Sequence, residues 1–171
     1  VRGLSAESLD KLDSEICQII YELSNKTLPS PETPYHRLAQ WADATLRETP
    51  VELFTTNYDL LMEEALEDCR APYFDGFAGG RKPFFDIRAM EEDKLPPRWL
   101  RLWKLHGSIN WYQDPTKGVL RGATSEAGLR RVIHPSHLKY DESRRMPYLA
   151  MIDRLRAFLR QPSSALVVCG Y

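Results

Sequence analysis

Apolar residues return at three- and four-residue steps from Ser5 to about Ser24, at Leu9, Leu12, Ile16, Ile19, Ile20 and Leu23, which is the period of a helix. Ser5 stands where a cap is needed, and Glu7 lies in the first turn, where negative charge is favoured. Asn25 and the prolines Pro29, Pro31 and Pro34 end the helix in a stiff connector. Thr33-Pro34 has the form of a second start, a cap followed by proline in the first turn. That helix carries Leu38, Trp41, Ala42 and Leu46 on one side. Val51 to Thr56 then reads as a strand, with a helix from Leu60 to Glu67 directly after it. Between Arg70 and Pro97 the glycines Gly76, Gly79 and Gly80 and the prolines Pro83, Pro96 and Pro97 predict an irregular stretch, and a loop that long is usually a lid or a binding loop. Trp99 to Leu105 is a buried strand running into His106-Gly107-Ser108. Ile109 to Gln113 and Val119-Leu120, joined by Asp114-Pro115-Thr116-Lys117-Gly118, predict a hairpin, and Arg131-Val132-Ile133 a short strand. Pro147 to Leu159 is a helix with Leu149, Ile152, Leu155 and Phe158 on one face, stopped by Pro162. Ala165 to Cys169 is a short run of buried-strand type, followed by Gly170-Tyr171.

Strands alternating with helices predict an α/β domain with a mostly parallel sheet flanked by helices. In such sheets ligands bind at the carboxyl ends of the strands. Three loops fall there: Thr55-Thr56-Asn57-Tyr58-Asp59, His106-Gly107-Ser108 and Gly170-Tyr171. The Asn57 amide can hold a water or an amide-bearing ligand, with Asp59 beside it to orient that ligand. Both residues are equally at home as turn and cap residues ahead of Leu60. His106 has the near-neutral pKa that general acid–base work needs, and Gly107 admits a ligand close to the backbone; a histidine there can also be a satisfied structural residue. His134 and His137 flank Pro135 without a cysteine or carboxylate cluster beside them and read as loop residues, and His36 as a surface residue of its helix.

Composition narrows the field. The chain has 171 residues, 43% apolar and 27% charged, the profile of one ordinary globular domain. No run approaches the roughly 18 apolar residues of a membrane span. The first residues do not form a signal peptide, so a cytoplasmic location is expected. With 23 Lys and Arg against 24 Asp and Glu, the excess of positive charge behind generic nucleic-acid binding is missing. Arg98, Arg101 and Lys104, and the pairs Arg130-Arg131 and Arg144-Arg145, read as solvated faces or contacts to a phosphate-bearing ligand. Cys17, Cys69 and Cys169 are too scattered for a disulfide framework or a zinc ribbon, so no metal is expected. The tryptophans Trp41, Trp99, Trp103 and Trp111 read as core or cleft-wall residues. The absence of an initial methionine and the final apolar run suggest a single domain fragment, truncated at both ends.

The loops also resemble a known family. Thr55-Thr56-Asn57-Tyr58-Asp59, then Lys104-Leu105-His106-Gly107-Ser108-Ile109-Asn110-Trp111, then Val167-Val168-Cys169-Gly170-Tyr171, are similar to the motifs of the SIR2-like (sirtuin-related) NAD-consuming family. Within it the nearest likeness is to bacterial SIR2-like domains of antiphage systems, which Tyr73-Phe74-Asp75-Gly76-Phe77, Ile133-His134-Pro135 and Lys139-Tyr140 also resemble. The likeness runs in order from about Leu38 to Tyr171. It implies a Rossmann-like fold that binds NAD as substrate. It also implies roles: Asn57 positioning the attacking water and the nicotinamide, His106 working on the nicotinamide ribose, and Asp59 shaping the nicotinamide pocket. Thr55 and Thr56 would contribute to the same binding loop, Gly107 and Ser108 would support the His106 loop, and Gly170 would lie near the adenosine half. The family's glycine-rich phosphate loop is not in the chain and would precede Val1. The paired cysteines that hold zinc in protein-deacylating sirtuins are missing too, which favours NAD hydrolysis over deacylation.

The resulting expectation is an NAD glycohydrolase that yields ADP-ribose and nicotinamide. It would serve as an antiphage effector switched on by homo-oligomer assembly or by a partner protein. The alternatives are an NAD or ADP-ribose sensor or scaffolding module without catalysis, and an NAD-dependent protein deacylase.

Overall fold

The computed structural model describes residues 5–29, 32–44, 47–114, 116–122, 130–133 and 146–170. Helix α1 (Ala6–Ser24) is capped by Ser5, whose Oγ accepts the Ser8 N–H at 3.2 Å. Helix α2 (Pro34–Ala44) starts at the predicted Thr33-Pro34. There follow β1 (Glu52–Thr55), α3 (Leu61–Asp68), the two-residue strands β2 (Tyr73–Phe74), β3 (Phe77–Ala78) and β4 (Phe84–Phe85), and α4 (Ile87–Glu92). The chain continues through β5 (Leu100–Lys104), the hairpin β6 (Gly107–Asp114) and β7 (Gly118–Arg121), then β8 (Arg130–Ile133) and α5 (Tyr148–Arg160).

The result is an α/β architecture with two sheets. One is parallel, in the order β1-β5-β2; the other is antiparallel, in the order β3-β4-β7-β6-β8. The parallel arrangement expected from strand–helix alternation therefore holds for three strands, while the stretch from 70 to 97, expected to be irregular, supplies β2, β3, β4 and α4. Two-residue strands are too short to display a period, so the pattern along the chain could not disclose them. Gly76 makes the turn between β2 and β3 at φ +92°, where a Cβ would stand 2.8 Å from Phe85.

Strand β5 is buried along its whole length and separates two cores. Leu100 and Leu102 pack with Ala39 and Ala42 of α2 and with Met62, Ala65 and Leu66 of α3. Trp103 faces the other way, into Phe74, Phe77, Met90, Trp111 and Met151. Fully burying one such side chain contributes roughly 1.5–3 kcal/mol. This packing, rather than helix propensity, holds the layers together.

Several side-chain expectations are corrected. On α2 the inward residues are His36, Ala39 and Ala42, while Leu38 and Trp41 are exposed. Small residues bring α2 close to α3, and the larger apolar ones are left outside. His36 is buried rather than on the surface. Its Nδ1 accepts the Thr33 N–H at 3.1 Å, which leaves Nε2 to carry the hydrogen toward Asp68 at 3.2 Å. It closes the helix start as Glu or Gln does in a capping box. On α1 the inward residues are Cys17, Ile20 and Tyr21, and Leu9, Leu12, Ile19 and Leu23 are exposed. On α5 the most buried residues are Tyr148, Ala150 and Met151. Residues Ala165 to Cys169 are exposed and form no strand, Val167 being 82% accessible, and no strand among the described residues pairs with them. Leu46, Pro31, Pro115, His134, Pro135, His137, Lys139, Tyr140, Arg144, Arg145 and Tyr171 lie outside the described residues.

Candidate functional site

The parallel register of β1 on β5 pairs Thr55 with Lys104. Asn57 lies two residues beyond Thr55, and His106 two residues beyond Lys104. The two candidates therefore leave adjacent parallel strands at the same end and at the same height, the place where an α/β sheet binds its ligands. Asn57 is exposed and His106 half-buried, so both can meet a ligand from solvent.

The two loops are joined by the backbone. The Leu105 N–H donates to the Thr55 carbonyl at 2.9 Å, and the Ile109 N–H to the Tyr58 carbonyl at 3.0 Å. Ser108 Oγ donates to the same Tyr58 carbonyl at 3.4 Å. Within the first loop Thr55 Oγ1 accepts the Asn57 N–H at 3.1 Å, a local turn that holds the Asn57 backbone to the strand end. The Tyr58 ring lies beside His106, centroids 6.4 Å apart and tilted by 40°. Burial pushes the Tyr58 phenol up from its ordinary value, so it remains neutral. Beneath the loop, Tyr58 and Leu60 pack on Cys17 and Tyr21 of α1 and on Ile109.

Asp59 lies one residue before the cap of α3, which is Leu60. Its Oδ1 accepts the Leu61 N–H at 3.1 Å, an Asx turn that leads into the helix rather than the N-cap bond expected of it. Gly107 takes φ +91° and turns the chain from the parallel sheet into β6. Ser108 is fully buried, so it holds the loop from within. Thr56 is exposed on the loop. Gly170 stands in an exposed segment, with open space where its Cβ would be, and no described contact ties it to the other two loops.

Charge is buried close to these strand ends. Lys104, 1% accessible, donates from Nζ to the Asp59 carbonyl and to Glu63 Oε1 at 2.8 Å. Burial pushes the Glu63 carboxyl up from its ordinary value although the ammonium draws it down. At the other end of β5 Arg101, also 1% accessible, donates through Nε to Asp93 Oδ1 at 2.7 Å. The expectation that Arg101 and Lys104 belong to solvated faces is thus corrected: each is neutralised by a carboxylate, Asp93 eight residues away and Glu63 41 residues away. Arg98 is exposed. A residue pattern signals burial of an apolar side chain, but not of a cation whose partner comes from 41 residues away.

A cavity of about 600 Å³ lies beyond the loops, bounded by Leu60, Glu63 and Glu67 of the α3 side and by Ile109, Asn110 and Arg121. Asn57 and His106 do not line it. Among the described residues no group of three His, Cys, Asp or Glu side chains could hold a metal ion, and no helix is long and apolar enough to cross a membrane.

The SIR2-like domain family matches residues 51–171, from the start of β1 through both loops. Comparison with curated proteins finds no match. The chain belongs to the SIR2-like domain family, which is NAD-related.

Proposed function

We propose that this SIR2-like chain is an NAD glycohydrolase that converts NAD and water into ADP-ribose, nicotinamide and a proton. What supports the reading is the register of Thr55 on Lys104, which brings Asn57 and His106 out side by side. In the reaction the bond from ribose C1′ to the nicotinamide ring nitrogen breaks, its electron pair stays with nicotinamide, and a water oxygen bonds C1′. The sugar becomes cation-like on the way, so the site has to hold the ribose and present a nucleophile in line.

The Asn57 side chain, with an acceptor oxygen and a donor nitrogen, orients the water and the nicotinamide amide. The His106 imidazole engages a hydroxyl of the nicotinamide ribose and takes up the proton that is released. Asp59 shapes the nicotinamide pocket while its Oδ1 holds the turn into α3. Thr55 and Thr56 form the loop wall, and Gly107 and Ser108 set the His106 turn. The place of Gly170 near the adenosine half rests on the family likeness alone. In the cell the same reading makes the protein a cytoplasmic antiphage effector that is silent until homo-oligomer assembly or a partner protein engages it.

The test is nicotinamide release from NAD by the chain in its native assembly. His106→Ala and Asn57→Ala are each expected to lower kcat by about 100-fold or more. Undiminished release in both variants overturns the assignment. Tight NAD binding without turnover in the activated assembly would make the protein a sensor, and acceleration by an acyl-lysine peptide would make it a deacylase.

A further inference from the structure

We propose that Lys104, neutralised by Glu63, is a positioning residue that fixes the Asn57 loop against the His106 strand end. The inference rests on the reading of Asn57 and His106 as the reacting pair. Lys104 is on β5 two residues before His106, and the carbonyl it binds is that of Asp59, two residues after Asn57. One buried side chain thus bridges the two segments that carry the reacting groups.

Stability alone does not explain the arrangement. An ammonium taken out of water is costly, and well-packed apolar residues in place of a buried ion pair often hold a fold as well or better. An apolar pair, however, has no donor for the Asp59 carbonyl. Other ties from the His106 side reach the loop at Thr55 and Tyr58, through Leu105, Ile109 and Ser108. Lys104 adds a further tie, at Asp59, to those at Thr55 and Tyr58 on either side of Asn57, and it is made by a fully buried side chain from the strand that leads into His106. Glu63 has its own part. The proposed reaction builds positive charge on the sugar, and an unbalanced ammonium so near would oppose it. The carboxylate 2.8 Å from Nζ cancels that charge.

The decisive variant is the double substitution Lys104→Met with Glu63→Leu, which removes both charges and leaves an apolar pair. It is expected to fold with nearly wild-type stability, where Lys104→Met alone, stranding a buried carboxylate, can fail to fold. The double variant should lose about 10- to 100-fold in kcat, as misplacement of a reacting group does. Its KM for NAD should stay within about threefold. Its Leu105 and Ile109 amide hydrogens should exchange about tenfold faster, because the bonds they make to the loop carbonyls are loosened. Unchanged exchange at both amides, or unchanged kcat in the active protein, overturns the proposal. If the wild type releases no nicotinamide in any assembly, the NAD reading fails, and the bracing of the loop is still decided by the exchange of those two amides.

Discussion

Arg101 and Lys104 are buried cations three residues apart on one strand, and their surroundings differ in kind. Three residues along a strand is an odd number, so the two side chains leave β5 by opposite faces. Arg101 enters a closed network near the start of the strand. Asp93 joins it to Arg154 of α5, Arg154 reaches Glu52 of β1 at 2.9 Å, and Glu52 accepts the Trp103 indole N–H at 2.7 Å. The guanidinium of Arg154 also lies over the Trp103 ring at 5.8 Å. Every partner there belongs to the scaffold. Lys104 has one carboxylate and one loop carbonyl, at the end of the strand where the candidate groups emerge. A planar guanidinium with five donors suits a network that must stay closed, and a compact ammonium suits a single point of attachment. The difference teaches that buried charge on one strand can serve cohesion at one end and aim at the other.

The largest effect is expected from breaking the scaffold end. Arg101→Met leaves Asp93 and Glu52 sharing one cation and should cost about 3–5 kcal/mol in urea unfolding, as removal of one partner from a buried pair does. The nicotinamide release of the molecules that remain folded should be near that of the wild type. A kcat loss equal to that of the apolar pair at positions 63 and 104 would erase the distinction.

A smaller effect sharpens the site end through pH. Burial raises the Glu63 carboxyl above its ordinary 4.5, so in the folded protein it keeps its proton longer than in the unfolded chain. Wild-type stability from this group is therefore fully present below the ordinary value and is lost as pH rises through the raised one. Glu63→Gln has no such loss. The stability difference between the variant and the wild type should move in favour of the variant from about pH 4 to neutrality, and a constant difference across that range would contradict the direction of the shift.

The smallest effect is expected outside both networks. Trp41 is 58% exposed and meets the Arg47 guanidinium 4.9 Å from its ring centroid. Trp41→Ala should change unfolding free energy by less than about 1 kcal/mol and leave nicotinamide release unchanged. A larger change would mean that Trp41 is covered in the working assembly.

These contrasts also mark what could be seen along the chain. The strand–loop pairs that carry Asn57 and His106, the 107–121 hairpin and the starts of α1 and α2 were visible because each rests on local chemistry: alternation, turn residues or a cap. That Asn57 and His106 both leave the same end of the parallel sheet was implied by the topology and made specific by the Thr55–Lys104 register. The burial of Arg101, Lys104 and His36 was not visible, because each depends on a carboxylate supplied by another segment. Leu38 and Trp41 misled for the opposite reason, since helical spacing names an apolar side without saying whether alanines, packing more closely, will win the interior.

Only Leu105 and His106 lie between the last residue of the parallel sheet and the first residue of the antiparallel one. The imidazole is thus mounted at one of two short joints between the plates, the other being Asp75-Gly76 between β2 and β3. A twist of either plate against the other, whatever drives it, is delivered to that ring with little slack chain to absorb it. An assembly that gripped the antiparallel plate could therefore set the angle of the imidazole without touching its surroundings.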